Sequence, residues 1–152
     1  MSITKSIVLD MDGTIANLYG IENWLDDLIN FNPRPYKLAK PLVNMNVLAR
    51  KLNKLQKQGY AINIISWLSK NSTSEYDSKV RDTKIKWLKT HLKSVHFDNI
   101  HIVPYGTPKY TLASGILFDD EEKNRNDWNK MENNKAYDVD NIIGVLTELE
   151  RG

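Results

Sequence analysis

Asp10 and Asp12 stand two residues apart, directly after the apolar run Ile7-Val8-Leu9, and Gly13 and Thr14 follow at once. A second apolar run, "GILF" at 115–118, stops on Asp119-Asp120, and a third, "INIIS", stops on Ser66. Lys109 lies ten residues ahead of Asp119. If these run ends meet at one edge of a sheet, four carboxylates share a small volume, and like charges there destabilise one another without a counter-charge. A hard divalent cation supplies one, and Mg²⁺ binds a few carboxylates together with phosphate oxygens. The residue types therefore point to phosphoryl chemistry. Asp-x-Asp-Gly alone is also an ordinary turn; the serine and acids at the other run ends lift it above one.

Elements of two kinds must position these groups. Ile7–Leu9, Tyr60–Ile65, Asn99–Val103 and Gly115–Phe118 read as short strands, and Ala136-Tyr137 as a last one. The first is apolar on both faces, the pattern of a parallel sheet. Helices are expected at about 23–30, 42–58, 79–92 and 122–131. In the second of these Met45, Leu48, Leu52 and Leu55 make one apolar stripe. In the third, Ile85, Leu88 and Leu92 share a face. A final helix is expected after Asp140 as its cap, with Ile142, Ile143, Leu146 and Leu149 facing inward. The segment Phe31–Pro41 holds three prolines and is expected to be extended or looped. Alternating strands and helices predict an α/β, Rossmann-like three-layer sandwich with a mostly parallel central sheet. Ligands of such sheets bind beyond the carboxyl ends of the strands, where the polar residues above fall.

The bulk numbers exclude other classes. A chain of 152 residues suits one domain. It has no cysteine, so disulfides, thiolate nucleophiles and zinc–sulfur sites are ruled out. A net charge of +2 gives no case for nucleic acid or an acidic membrane. The amino-terminal residues lack the pattern of a signal peptide, and no run approaches the ~20 apolar residues of a membrane span, so a cytoplasmic location is expected. His91, His96 and His101 show no metal-ligand spacing and read as structural or exposed. Trp87 and Trp128 read as core.

"DMDGT" resembles motif I of the haloacid dehalogenase superfamily of phosphohydrolases, "INIIS" its motif II and "GILFDD" its motif IV, in order from about Ser6 to Trp128. The resemblance implies that Asp10 is a nucleophile forming an aspartyl-phosphate and that Asp12 is the general acid and base. It implies a Mg²⁺ site made by the Asp10 carboxylate, the Asp12 backbone carbonyl and a motif IV acid. Asp120 is favoured for the last, with Asp119 as the alternative. Ser66 would donate to phosphoryl oxygens. Lys109 would neutralise nucleophile and phosphate; Lys84 and Lys86 are its competitors. Gly13 would allow the backbone to turn, and the amides at Gly13 and Thr14 would face the phosphate.

The resemblance places a single domain over 1–152 with a small cap-like insertion at about 15–41, hence a nearly uncapped site. "DMDGTIANL", the "KP" before the long helix, "KIKWLKTHL" and "DDEEKNRNDW" are similar to the 5′-nucleotidase and deoxyribonucleotidase branch, from which Trp67 after Ser66 is a departure. A small-molecule phosphomonoester, a nucleoside monophosphate above others, is the expected substrate. Residues 15–19 and Trp24 would form an apolar wall for the base, and Trp67 would border the entrance or stack on the base. Polynucleotide 3′-phosphatase is the alternative, disfavoured by the near-neutral charge. A non-catalytic phosphate-binding module on the same fold is a second, disfavoured by the presence of Asp12. A receiver domain fits less well, because "INIIS" ends in serine where that fold needs an aspartate.

Overall fold

The apolar runs assemble into one five-stranded sheet. In the computed structural model, which describes residues 2–152, the strands are β1 (Ser6–Leu9), β4 (Ala61–Trp67), β5 (Asn99–Val103), β6 (Ile116–Phe118) and β7 (Lys135–Tyr137). Their order is β5-β4-β1-β6-β7, and every neighbouring pair is parallel. The α/β sandwich expected from the alternation is therefore the observed fold. β1 lies in the middle, with β4 and β6 in register on either side. This is the place where the winding reverses and where a crevice opens beyond the strand ends.

Helices cover both faces. α3 (Met45–Lys57) buries Leu48, Leu52 and Leu55, and α6 (Ile142–Glu150) buries Ile142 and Leu146, against Ile7, Leu9, Ile62 and Ile64. α5 (Glu122–Asn129) packs Trp128 with Val8, Ile65 and Leu117. Ile7 and Leu9 thus serve one face and Val8 the other, as the two-residue strand period requires. The Asn44 side chain caps α3 by accepting from the Val47 amide at 3.1 Å.

Several boundaries differ from the sequence expectation. α4 (Ser74–His91) starts earlier than 79, because Thr73 caps it and Glu75 and Asp77 sit in its positive first turn. At the carboxyl end Asp138, not Asp140, supplies the cap, accepting from Val139 N–H at the head of a short 3₁₀ turn.

The insertion is more structured than expected. β2 (Ala16–Asn17) and β3 (Lys40–Pro41) pair antiparallel and close its neck. Between them lie α1 (Trp24–Ile29) and α2 (Arg34–Leu38). The proline-rich stretch accommodates α2 because Pro35 falls in the first turn, where a missing N–H breaks no helical bond. Three side-chain hydrogen bonds tie this insertion to the body among the described residues. Tyr76 Oη donates to the Asn32 carbonyl at 2.9 Å, Trp87 Nε1 donates to the Ala39 carbonyl at 2.7 Å, and Tyr36 Oη shares a 2.6 Å bond with Ser69 Oγ. Leu25 and Ile29 on α1 are 53% and 63% exposed; they face the crevice. Among the described residues, no helix is long and apolar enough to cross a membrane.

Candidate active site

The carboxyl ends of β1 and β6 deliver the acids. Asp10 follows β1 and its amide donates to the Phe118 carbonyl at 3.0 Å, so the two strand ends are locked side by side. Oxygens of Asp10, Asp119 and Asp120 come within 4.8 Å of one another. Gly13 makes this approach possible. It has φ +80°, and a Cβ there would lie 2.3 Å from Asp120 Oδ2.

Lys109 answers the charge at the centre. It opens a short 3₁₀ turn, is buried, and donates to Asp10 Oδ1 at 2.8 Å and Asp119 Oδ2 at 2.7 Å. Burial alone would lower its pKa; Asp10 and Asp119 outweigh that and hold it above the usual lysine value. Thr14 Oγ1 lies 2.9 Å from Asp10 Oδ2 and 3.2 Å from Asp120 Oδ1, and it accepts the Asp120 amide at 3.1 Å.

The two motif IV acids differ. Asp119 is 1% exposed and rich in donors: Lys109 and Asn124 Nδ2 on Oδ2, and the Glu121 amide on Oδ1. Asp120 is half-buried, receives only the shared Thr14 hydroxyl, and keeps lone pairs to offer a cation. Burial and the nearby Asp10 push its pKa up to about 8. Burial and Asp10 also raise Asp119, against Lys109 and the Glu121 amide. Of the two, Asp120 is the one with fewer protein donors on its oxygens.

A second lysine enters from α4. Lys84, 1% exposed, donates to Asp12 Oδ2 at 2.8 Å, Ser66 Oγ at 2.7 Å and the Trp67 carbonyl at 2.7 Å. Its ammonium also lies 4.9 Å from the centre of the Tyr36 ring. Burial raises the pKa of Asp12, Lys84 opposes that, and Asp10 adds to it; the net shift is upward. Lys109 and Lys84 therefore do not compete for one place, as the sequence suggested; each holds a different carboxylate. Lys86 is exposed. The sequence carried a signal for Lys84. Tyr76, Val80, Lys84 and Leu88 repeat every four residues, so a lysine falls on the buried stripe of a helix.

A crevice of about 500 Å³ opens over these groups, with Asp10, Asp12, Lys109, Asp119 and Asp120 on its floor. The insertion supplies one wall, chiefly Tyr19, Trp24, Leu25 and Ile29; Trp67 and Tyr105 form the other. The Trp67 ring is held by its indole N–H donating to the Thr107 carbonyl at 2.9 Å, and its centre lies 5.0 Å from that of Tyr105. Three expected phosphate contacts are absent from the crevice lining. Ser66 and Thr14 are fully buried, with Ser66 Oγ turned to Lys84. The Gly13 and Thr14 amides donate to the carbonyls of Ala16 and Met11, because the tight turn after β1 needs them. Asn124 is the supporting residue whose contact with Asp119 the sequence did not reveal.

No family model matches this chain, and no curated protein matches it in sequence. Solved structures do match in fold. The D,D-heptose 1,7-bisphosphate phosphatase from B. bronchiseptica, crystallised with magnesium and phosphate, superposes with a TM-score of 0.56 at 14% identity, covering 97% of this chain and 98% of the other. The enzyme of the same name from Burkholderia thailandensis gives 0.55 at 12% identity, over 95% and 97%. The chain thus has the α/β fold of these two phosphatases over nearly its whole length.

Proposed function

We propose that this chain is a Mg²⁺-dependent phosphomonoester hydrolase, and that nucleoside monophosphates are its preferred substrate class. The observation that carries the reading is the floor of the crevice. A nucleophile candidate, Asp10, and an acid/base candidate, Asp12, each sit on a separate buried lysine beside a carboxylate with lone pairs to spare.

The donor set fits a divalent cation. Four carboxylates, Asp10, Asp12, Asp119 and Asp120, meet two ammonium groups, so full ionisation leaves an excess of two negative charges. Asp10 and Asp120 would hold Mg²⁺ through side-chain oxygens and Asp12 through its carbonyl. The ion, when bound, neutralises the phosphoryl oxygens and the excess acid charge.

The chain's own residues account for the steps. An Asp10 oxygen forms the new bond to phosphorus as the bond to the leaving oxygen breaks. Asp12, whose pKa is raised, gives its proton to that oxygen. A water then attacks phosphorus, Asp12 takes the water's proton, and the Asp10–phosphorus bond breaks to release phosphate. Lys109 uses two protons on Asp10 and Asp119 and has a third for a phosphoryl oxygen.

The walls favour a nucleoside. Tyr19, Trp24, Leu25 and Ile29, with Trp67 and Tyr105, give apolar and aromatic surface for a planar base, and Ser69, Asn71 and Asn124 also line the crevice and can meet sugar hydroxyls. The sugar bisphosphates in the names of the two similar enzymes are the second reading. Polynucleotide ends fit less well, since Lys70 is the one basic residue lining the crevice besides Lys109, and Glu121 lines it too. A screen of nucleoside monophosphates, sugar phosphates and 3′-phosphorylated oligonucleotides with Mg²⁺ tests the proposal. Hydrolysis is expected with nucleotides foremost and with loss in EDTA; no turnover on any of them refutes it.

A further inference from the structure

We propose that Lys84 is a positioning residue for the acid/base step, aiming the Asp12 carboxylate from an anchor built of Ser66 Oγ and the Trp67 carbonyl. The inference rests on the phosphomonoesterase reading above and gives one of its groups a task.

An ammonium has three protons and no lone pair. Lys84 places all three, on Asp12 Oδ2, Ser66 Oγ and the Trp67 carbonyl, at 2.7–2.8 Å. Lys109, with two bonds to protein acceptors, can still donate to substrate; Lys84 cannot. It therefore contributes by geometry. Two of its three bonds go to the end of β4, a rigid central strand, and the third goes to Asp12, in the loop after β1. The carboxylate is thereby fixed through Oδ2, and Oδ1 is the oxygen that Lys84 leaves for the proton in transit. The Tyr36 face closes over the ammonium. A lysine on the buried stripe of α4 is costly unless paired and hydrogen-bonded, and here it is fully so. Ser66 gains a purpose as well: it is fully buried and accepts from Lys84.

Proton donation matters only when the leaving group needs a proton. Lys84→Met should therefore lower kcat/KM for a nucleoside monophosphate, whose leaving alkoxide is poor, by about 10²-fold. The same variant should change kcat/KM for 2,4-dinitrophenyl phosphate little, because that phenolate departs unprotonated. Since Asp12 also serves the second step, Lys84→Met should release one equivalent of dinitrophenolate in a burst before a slow steady state. Ser66→Ala should show the same leaving-group selectivity, more weakly, and Lys84→Arg should restore part of the loss. A uniform loss on both substrates, or no loss on either, overturns the proposal while leaving the hydrolase reading intact. A wild-type protein inactive on both substrates overturns both. Should Lys84→Met fail to fold, Ser66→Ala carries the test alone, and a uniform effect there has the same consequence.

Discussion

At the amino end of the sheet, Asn63 donates to Ser6 Oγ at 2.8 Å and accepts from Asn99 Nδ2 at 3.1 Å. At the carboxyl end, four aspartates crowd around Lys109 and Lys84. Both ends add polar groups to β1 and its neighbours, the first on β4 and β5 and the second beyond β6. The first is neutral, and its dipoles satisfy one another without help. The second holds more negative charge than its lysines cancel, and burial, with that charge added to it, holds Asp12, Asp119 and Asp120 above their ordinary pKa values. The neutral ladder stabilises the native state. The acidic cluster weakens it, a cost that the proposed cation and phosphoryl site would offset.

Substitutions can break this contrast. Asp10→Asn should lower turnover by at least about 10⁴-fold while the thermal midpoint stays near wild type, since it removes the proposed nucleophile and one crowded charge together. Steady-state kinetics beside calorimetry would measure both. Lys109→Met should remove activity and also destabilise the fold, by about 3–5 kcal/mol, because Asp10 and Asp119 would be left as buried unpaired charges; urea unfolding reads that cost.

The acidic end should also show in the pH dependence of the metal-free protein. Asp120 has its folded pKa raised from 3.8 to about 8. The folded state therefore favours its protonated form. That contribution is fully present below about pH 4 and is lost as the pH rises through about 8. In EDTA, the thermal midpoint should fall more steeply between pH 6 and 8.5 for wild type than for Asp120→Asn, in which the amide cannot ionise. Added Mg²⁺ should raise the wild-type midpoint more at pH 8.5 than at pH 6, as protons no longer compete for the ligands.

The neutral end should respond in stability alone. Asn63→Ala leaves Ser6 Oγ and Asn99 without a partner and should cost about 1–3 kcal/mol with unchanged kcat. The smallest effect sharpens the substrate reading. Trp67→Ala should raise KM for a nucleoside monophosphate about tenfold, the loss of one base–aromatic stack, and leave kcat/KM for β-glycerophosphate unaltered.

Much of this molecule could be read from residue patterns. The parallel sheet follows from runs such as Ile7–Leu9 and Ile116–Phe118, which are apolar on both faces and can be stable only between helical layers. The places of Asp10, Asp12, Asp119 and Asp120 follow in turn, since each sits at a run end and parallel strands present those ends on one edge. α2 was missed because Pro33 at its cap and Pro35 in its first turn look like a break until the helix start is known. Ser66 and Thr14 look like phosphate donors by type, yet both point inward. Burial at that level depends on which side chains from α4 and the loop after β1 fill the space behind the crevice.

Chain order and side-chain periodicity alone determine that the acids gather at the carboxyl edge, because strand alternation and parallel winding are local rules repeated along the chain. Which lysine holds which aspartate was decided only by the tertiary packing. Lys84 and Lys109 are 25 residues apart in sequence, and nothing local distinguishes their charges. The angle at which α4 docks sends one ammonium to Asp12, and the turn before β6 sends the other to Asp10 and Asp119. A bond of 2.7–2.8 Å between residues distant along the chain depends on the packing of everything between them.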